Sequence, residues 1–104
     1  MSTPHEILDA TCFVTLMSRD MLTGKSHLPR IVMARKLFIA VATIEGKNIS
    51  VIARTLKRDR TTALYHKRWF EALDDNSRSA MMHNVERVRA ELLRRQKLGC
   101  AKVS

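Results

Sequence analysis

The fold is decided by the sequence LKRDRTTA, which spans residues 56–63. An aspartate in its middle is typical of a helix N-cap, basic side chains flank that aspartate, and two threonines occupy the first turn. Cationic and hydroxyl groups hold DNA phosphates and base edges, and a threonine methyl can contact thymine. The stretch therefore predicts the start of a DNA-reading helix. Its candidate contact residues are Lys57, Arg58, Asp59, Arg60, Thr61 and Thr62.

A second helix is predicted immediately upstream. Apolar residues at positions 49, 52, 53 and 56 form one face of a short helix that ends just before Asp59. Two helices joined by a tight turn make a helix-turn-helix, so residues 48–73 are expected to form that motif.

The rest of the chain is also predicted to be helical. Apolar periodicity indicates a first helix over residues 5–17, expected at the centre of the core and started by Thr3-Pro4. A capped turn at 18–22, a basic loop at 23–30 and a helix at 31–45 follow, and a last helix is capped by Ser77. No β-strand alternation is seen, so we expect an all-α, compact helical bundle with an additional C-terminal helix.

The predicted recognition helix, residues 60–73, has two faces. Ala63, Phe70 and Leu73 are expected to point inward, while Tyr65 joins the threonines on the outer face and could stack on a base or sugar. Trp69 is expected to pack at the edge of the core. The adjacent Lys67 and Arg68 either contact the DNA backbone or are solvated, and the sequence alone leaves both open.

Positive charge is concentrated on the same part of the chain. The net charge of +9 comes from 19 basic and 10 acidic residues. Residues 1–24 carry a net −2, residues 25–70 a net +9 and residues 71–104 a net +2. An excess focused on a helix-turn-helix indicates a polyanion partner, namely double-stranded DNA. Membrane binding is disfavoured because these basic residues do not lie opposite a broad apolar stripe on an amphipathic helix.

Several other classes of protein are disfavoured. No nucleophile with a base, carboxylate pair or phosphate-binding glycine loop is present, so we expect neither an enzyme nor a cofactor. The spacing of histidines and of Cys12 and Cys100 suggests no metal site and no disulfide. Without a signal peptide or a spanning segment, the protein is expected in the cytoplasm, associated with the nucleoid.

Three segments resemble the C-terminal, DNA-binding domain (domain IV) of the bacterial replication initiator DnaA, which belongs to the Trp repressor-like group. ILDATCFVTLMSRDML at 7–22 is similar to its opening helix and following turn, and GKSHLPRIVMARKL at 24–37 to its basic loop and long helix. IARTLKRDRTTALYH at 52–66 is similar to the signature of its recognition helix. The resemblance covers residues 7 to about 73 and extends to phage regulators and the DNA-binding part of gene-transfer-agent activators.

The resemblance implies roles for individual residues. Asp59, Arg60, Thr61 and Thr62 would face bases or phosphates, Arg58 would support the turn or a phosphate, and Arg35 would approach the DNA backbone. Arg60 replaces a histidine of the family and favours guanine. His27 replaces an arginine that enters the minor groove, so that contact weakens or passes to Lys25 or Arg30. A glycine of the family's turn is missing before Lys57.

These observations predict a DNA-binding domain at 1–75 and a C-terminal helix and tail at 76–104. The family's ATPase domain has no counterpart in the 104 residues, so we expect a transcription regulator that acts by recruitment or blocking. A replication-origin accessory protein and a protein-interaction adaptor are the alternatives.

Apolar residues at 81, 85, 88 and 92 form a seam expected to pack mainly on the domain itself, with the remainder serving a protein partner. The protein is expected to be a monomer or weak homodimer. Truncation after Asp75 is expected to leave DNA binding largely intact but to remove the regulatory effect in cells.

Overall fold

The computed structural model describes residues 2–103, and the side chains of residues 2–98. Within that range all regular secondary structure is α-helical and there is no β-strand, which confirms the predicted all-α class. The helices are α1 (Pro4–Thr15), α2 (Arg19–Thr23), α3 (Pro29–Ile44), α4 (Ile49–Leu56), α5 (Arg60–Glu71) and α6 (Asp75–Val103).

Local side-chain hydrogen bonds define where the first helices begin and end. Thr3 and Glu6 form a reciprocal capping box at the start of α1, and Ser18 caps α2 as predicted. Helix α1 ends at Leu16, a residue with left-handed backbone geometry (φ 59°). The Met17 amide donates to the Cys12 carbonyl across this turn. Helix α3 starts two residues earlier than predicted, because Pro29 suits the first helical position.

The centre of the core is α3 rather than α1. Six consecutive residues of α3, from 37 to 42, are buried on all sides of the helix. Helix α1 buries Ile7, Leu8 and Ala10, but leaves Phe13 exposed. A helix that is apolar all round belongs in the interior, and the mixed second half of α1 does not meet that condition.

Helix α6 belongs to the same core as the rest of the chain. Its seam residues Met81, Val85, Val88 and Leu92 are all buried and pack in one cluster with α1 and α3. This confirms the expected packing on the domain itself, but the seam has no exposed remainder that could serve a partner. The helix also starts earlier than predicted, because Asp74 acts as the cap and accepts from the Ser77 amide at 2.7 Å. The predicted boundary at 75/76 therefore does not separate two hydrophobic cores, because the residues on both sides of it share one.

The described residues were also searched for membrane spans and metal sites. None of their helices has the length and apolar character needed to cross a bilayer. No cluster of three or more histidine, cysteine or acidic side chains occurs among them. Cys12 is a free, buried thiol, whereas the side chain of Cys100 lies outside the described residues.

Candidate nucleic-acid interface

Helices α4 and α5 are joined by only three residues, 57–59. Asn48 caps α4 by accepting from the Ser50 amide, and Asp59 caps α5 by accepting from the Thr62 amide at 2.7 Å. The same contact with Thr62 lowers the pKa of Asp59, so the cap stays charged at neutral pH. The predicted helix pair and its aspartate cap are thus present.

The two faces of α5 differ as predicted. Ala63 and Phe70 are buried, whereas Thr61, Arg68 and Tyr65 are exposed, the last at 65%. Arg60 is also exposed, and Thr62 and Lys67 are half-buried. The outer face therefore offers hydroxyl and cationic groups near the first turn and a phenol ring one turn later.

Trp69 packs against the core rather than extending into solvent, as expected. The Lys36 ammonium lies 4.0 Å from the centre of its ring. The contact joins α3 to α5. Trp69 is therefore not counted among the candidate contact residues.

The loop before α3 and the first turn of α3 present further exposed basic groups. Lys25, His27 and Arg30 are all solvent-exposed. This loop lies beside the α4–α5 turn, because the Arg58 guanidinium donates to the Gly24 carbonyl. Segments more than 30 residues apart in sequence thus meet at one surface.

The structure gives Arg35 a different role from the one the resemblance implied. The side chain is only 3% exposed, so it does not reach a surface at which it could approach DNA. Its guanidinium donates to four backbone carbonyls, those of Leu22 at 2.7 Å, Ser26 at 2.6 Å, Met21 at 3.1 Å and Gly24 at 2.9 Å. Arg35 therefore holds the loop in shape from within, and we leave it out of the contact set.

Arg58 is the second support of this loop, which matches one of its two expected roles. It shares the Gly24 carbonyl with Arg35, so one acceptor links the loop, α3 and the α4–α5 turn. Gly24 is sterically required here, because a Cβ atom at this position would lie 2.7 Å from the Asp20 carbonyl oxygen. We refer to Arg35, Arg58 and the Gly24 carbonyl as the loop clamp.

The clamp was missed by sequence reasoning, although one signal for it existed. Arg35 lies four residues after Ile31 and four before Ile39, and both are buried. A charged residue on the inward face of a helix must find hydrogen-bond partners in the interior. Helical spacing could therefore have assigned Arg35 to a buried network.

His66 lies on the inner side of α5 and is half-buried. Its Nδ1 atom is buried without a hydrogen-bond partner among the described residues. Burial, followed by the charges of Lys36, Arg35 and Arg58, lowers the pKa of His66. The imidazole is therefore neutral at pH 7 and adds no charge to the basic surface.

Lys57 directly follows the point at which the DnaA-like pattern has a glycine that this chain lacks. Its backbone is left-handed (φ 56°), and it ends α4. Such geometry costs a residue with a Cβ atom about 1–2 kcal/mol, whereas glycine adopts it freely. The chain thus keeps a cationic side chain in the turn despite a conformational cost.

We expect Lys57→Gly to raise the free energy of unfolding by about 0.5–1 kcal/mol, since the relief of strain exceeds the entropy that glycine adds to the unfolded chain. Urea denaturation followed by circular dichroism measures this change. Lys57→Ala is the matched control, because it removes the same charge and keeps the strain. Equal stability of the two variants would show that the turn is unstrained.

Comparison with models of known protein families, with curated proteins and with solved structures gives no match to this chain.

Proposed function

We propose that this protein binds double-stranded DNA sequence-specifically, with α4 and α5 as a helix-turn-helix of the Trp repressor and DnaA C-terminal type. The observation that carries the proposal is the pairing of the Asp59-capped α5 with the clamped basic loop. On a duplex, the first turn of α5 enters the major groove and the loop follows the neighbouring backbone or minor groove. The DnaA-like motifs support the same arrangement.

The exposed groups suit this task. Phosphates are held by Lys25, Arg30, Lys57 and Arg68, and these contacts set affinity and orientation without reading sequence. Bases are read by Arg60 together with the threonines of the first turn. Arginine donates two hydrogen bonds to the O6 and N7 atoms of guanine, so a G·C pair is expected opposite Arg60.

Regulation of transcription is the role we favour. The described residues offer a basic reading surface, so the bound protein acts by blocking another protein or by recruiting one, and it is located with the nucleoid. An accessory protein at a replication origin would use the same surface. A protein-interaction adaptor would not need it, and this difference allows a test.

Selection of bound fragments from the source genome, followed by sequencing, identifies the target. Fluorescence anisotropy on that target at several salt concentrations then tests the mode of binding. On the order of four to seven phosphate contacts should give a slope of log K against log salt of about −0.9 per contact. A flat salt response with no enriched sequence would favour the adaptor.

Arg60→Ala should weaken binding to the selected site by about 1–3 kcal/mol and relax the preference at one base pair, with little effect on folding. The experiment is a comparison of affinities for the selected site and its three single-base variants at one position. Arg89→Ala is the matched control, because it removes an equal charge from α6, where Arg89 pairs with Glu45 at 3.6 Å. An equal loss of affinity for all the sequences would show that Arg60 contacts a phosphate and does not read a base.

A further inference from the structure

An apolar groove lies between the end of α1 and the middle of α6, and the proposed DNA contact does not use it. Phe13, Val14 and Leu16 line it from the end of α1, and Arg87, Ala90, Glu91 and Arg94 line it from α6. Its volume is about 470 Å³. We call this feature the α1–α6 groove.

Leu16 is the most informative residue of the groove. Its side chain is 89% exposed, and its left-handed backbone favours glycine. The fold gains neither burial nor capping from a leucine at this position. Residues that break a local rule without a benefit to the fold are expected at functional sites, so Leu16 points to an external contact.

Phe13 adds a second exposed apolar group one helical turn away, at 56% exposure. The guanidinium groups of Arg94 and Arg95 each lie 5.8 Å from the centre of its ring. A neighbouring depression of about 260 Å³ shares Val14 and Arg87 with the groove and is lined by Met17. Methionine adapts to varied apolar partners, and the extended shape suits a segment of chain.

The groove carries positive charge. Among the described residues that line it, only Glu91 is acidic. Arg94 and Arg95 both bind this carboxylate, at 2.7 and 2.6 Å, and they lower its pKa to about 2. Two arginines against one carboxylate leave one positive charge, and Arg87 adds a second.

We propose that the α1–α6 groove binds an acidic amphipathic helix of a partner protein, whose apolar side chains contact Phe13 and Leu16 and whose carboxylates pair with Arg87 and Arg94. Charge complementarity selects this occupant. A second copy of the chain is a poor fit, because its 19 basic and 10 acidic residues give each copy a net charge of +9. DNA is a poor fit because the exposed side chains of Phe13 and Leu16 would gain nothing from a phosphate backbone.

The test uses the full chain and a synthetic peptide of about 16 residues, with leucine and phenylalanine at helical spacing and glutamate elsewhere. A second peptide keeps every glutamate but replaces the apolar residues with serine. NMR titration of the isotope-labelled protein should show shifts at Val14, Leu16 and Ala90 with the first peptide and not with the second. Equal binding of both peptides would overturn the proposal in favour of non-specific charge attraction.

Leu16→Gly separates a contact role from a structural one. It should weaken binding of the apolar peptide about tenfold and raise the melting temperature, because glycine relieves the left-handed strain. Arg87→Glu should also weaken binding. Met21→Gln, a change of an exposed methionine on α2, should leave both properties unchanged.

Two further measurements on the same protein and its Leu16→Gly variant distinguish other occupants of the groove. Self-association in analytical ultracentrifugation that Leu16→Gly abolishes would replace the proposed partner with a second copy. Leu16-dependent binding to phosphatidylglycerol vesicles would replace it with a membrane. Since the peptide titration contains no DNA, its failure would leave the proposed DNA binding untouched, and loss of DNA binding would leave the groove untouched.

Discussion

Truncation after Asp75 is expected to unfold the chain. The truncated protein lacks Met81, Val85, Val88 and Leu92, which are all buried against α1 and α3. Burial of an aliphatic side chain contributes about 1.5–3 kcal/mol, so four such residues contribute on the order of 6–12 kcal/mol. That amount is comparable with the whole stability of a small domain, about 5–15 kcal/mol. The structure thus reverses our expectation that the truncated chain would still bind DNA.

Circular dichroism during heating and the dispersion of amide NMR signals measure the outcome. Truncation after Leu98 is the control, because it shortens the same helix without removing a seam residue. The control should melt cooperatively, whereas the chain ending at Asp75 should not. A cooperative transition in the shorter chain would show that residues 1–75 fold alone.

Arg35→Met should lower the free energy of unfolding by about 3 kcal/mol. The substitution keeps an apolar stem but removes the donors for four carbonyls, and each buried acceptor left unpaired costs about 1–3 kcal/mol unless water reaches it. The loop that carries Lys25 and His27 should lose its fixed shape. DNA affinity of the folded fraction should therefore fall, although Arg35 itself is buried.

Lys36→Met is the matched control for this change. It removes one positive charge at the next position and sacrifices only the contact with Trp69, which is worth about 0.5–1 kcal/mol. Urea denaturation and DNA anisotropy are measured for both variants. If Arg35→Met lost DNA affinity but kept full stability, a direct contact between Arg35 and DNA would be restored as the explanation.

The sequence predicted much of the helical architecture, because its signals are local. Apolar spacing located the main helices, and Ser18 and Asp59 form the caps that were expected of them. The seam of α6 was recognised from steps of four, three and four residues, and it is buried. The outward position of Thr61 and Tyr65 followed from the same periodicity.

The features that sequence reasoning missed depend on long-range contacts. Arg58 and Gly24 are 34 residues apart, and Arg35 and Leu22 are 13 apart. Helical periodicity specifies which face of a helix is buried, but it does not specify the carbonyl that a buried guanidinium meets. The groove was missed for a related reason. The apolar run of α1 suggested a wholly buried helix, whereas Phe13 faces solvent beside α6. DNA binding remains a prediction.

The shared carbonyl of Gly24 also limits which DNA sites the protein can recognise. Because Arg35 and Arg58 both bind that oxygen, the basic loop and the start of α5 keep a constant separation. On the proposed duplex, the base pairs contacted by α5 and the phosphates contacted by the loop must then be a fixed number of steps apart. A target with one base pair inserted between them would match either element but not both, so spacing would contribute to specificity alongside sequence.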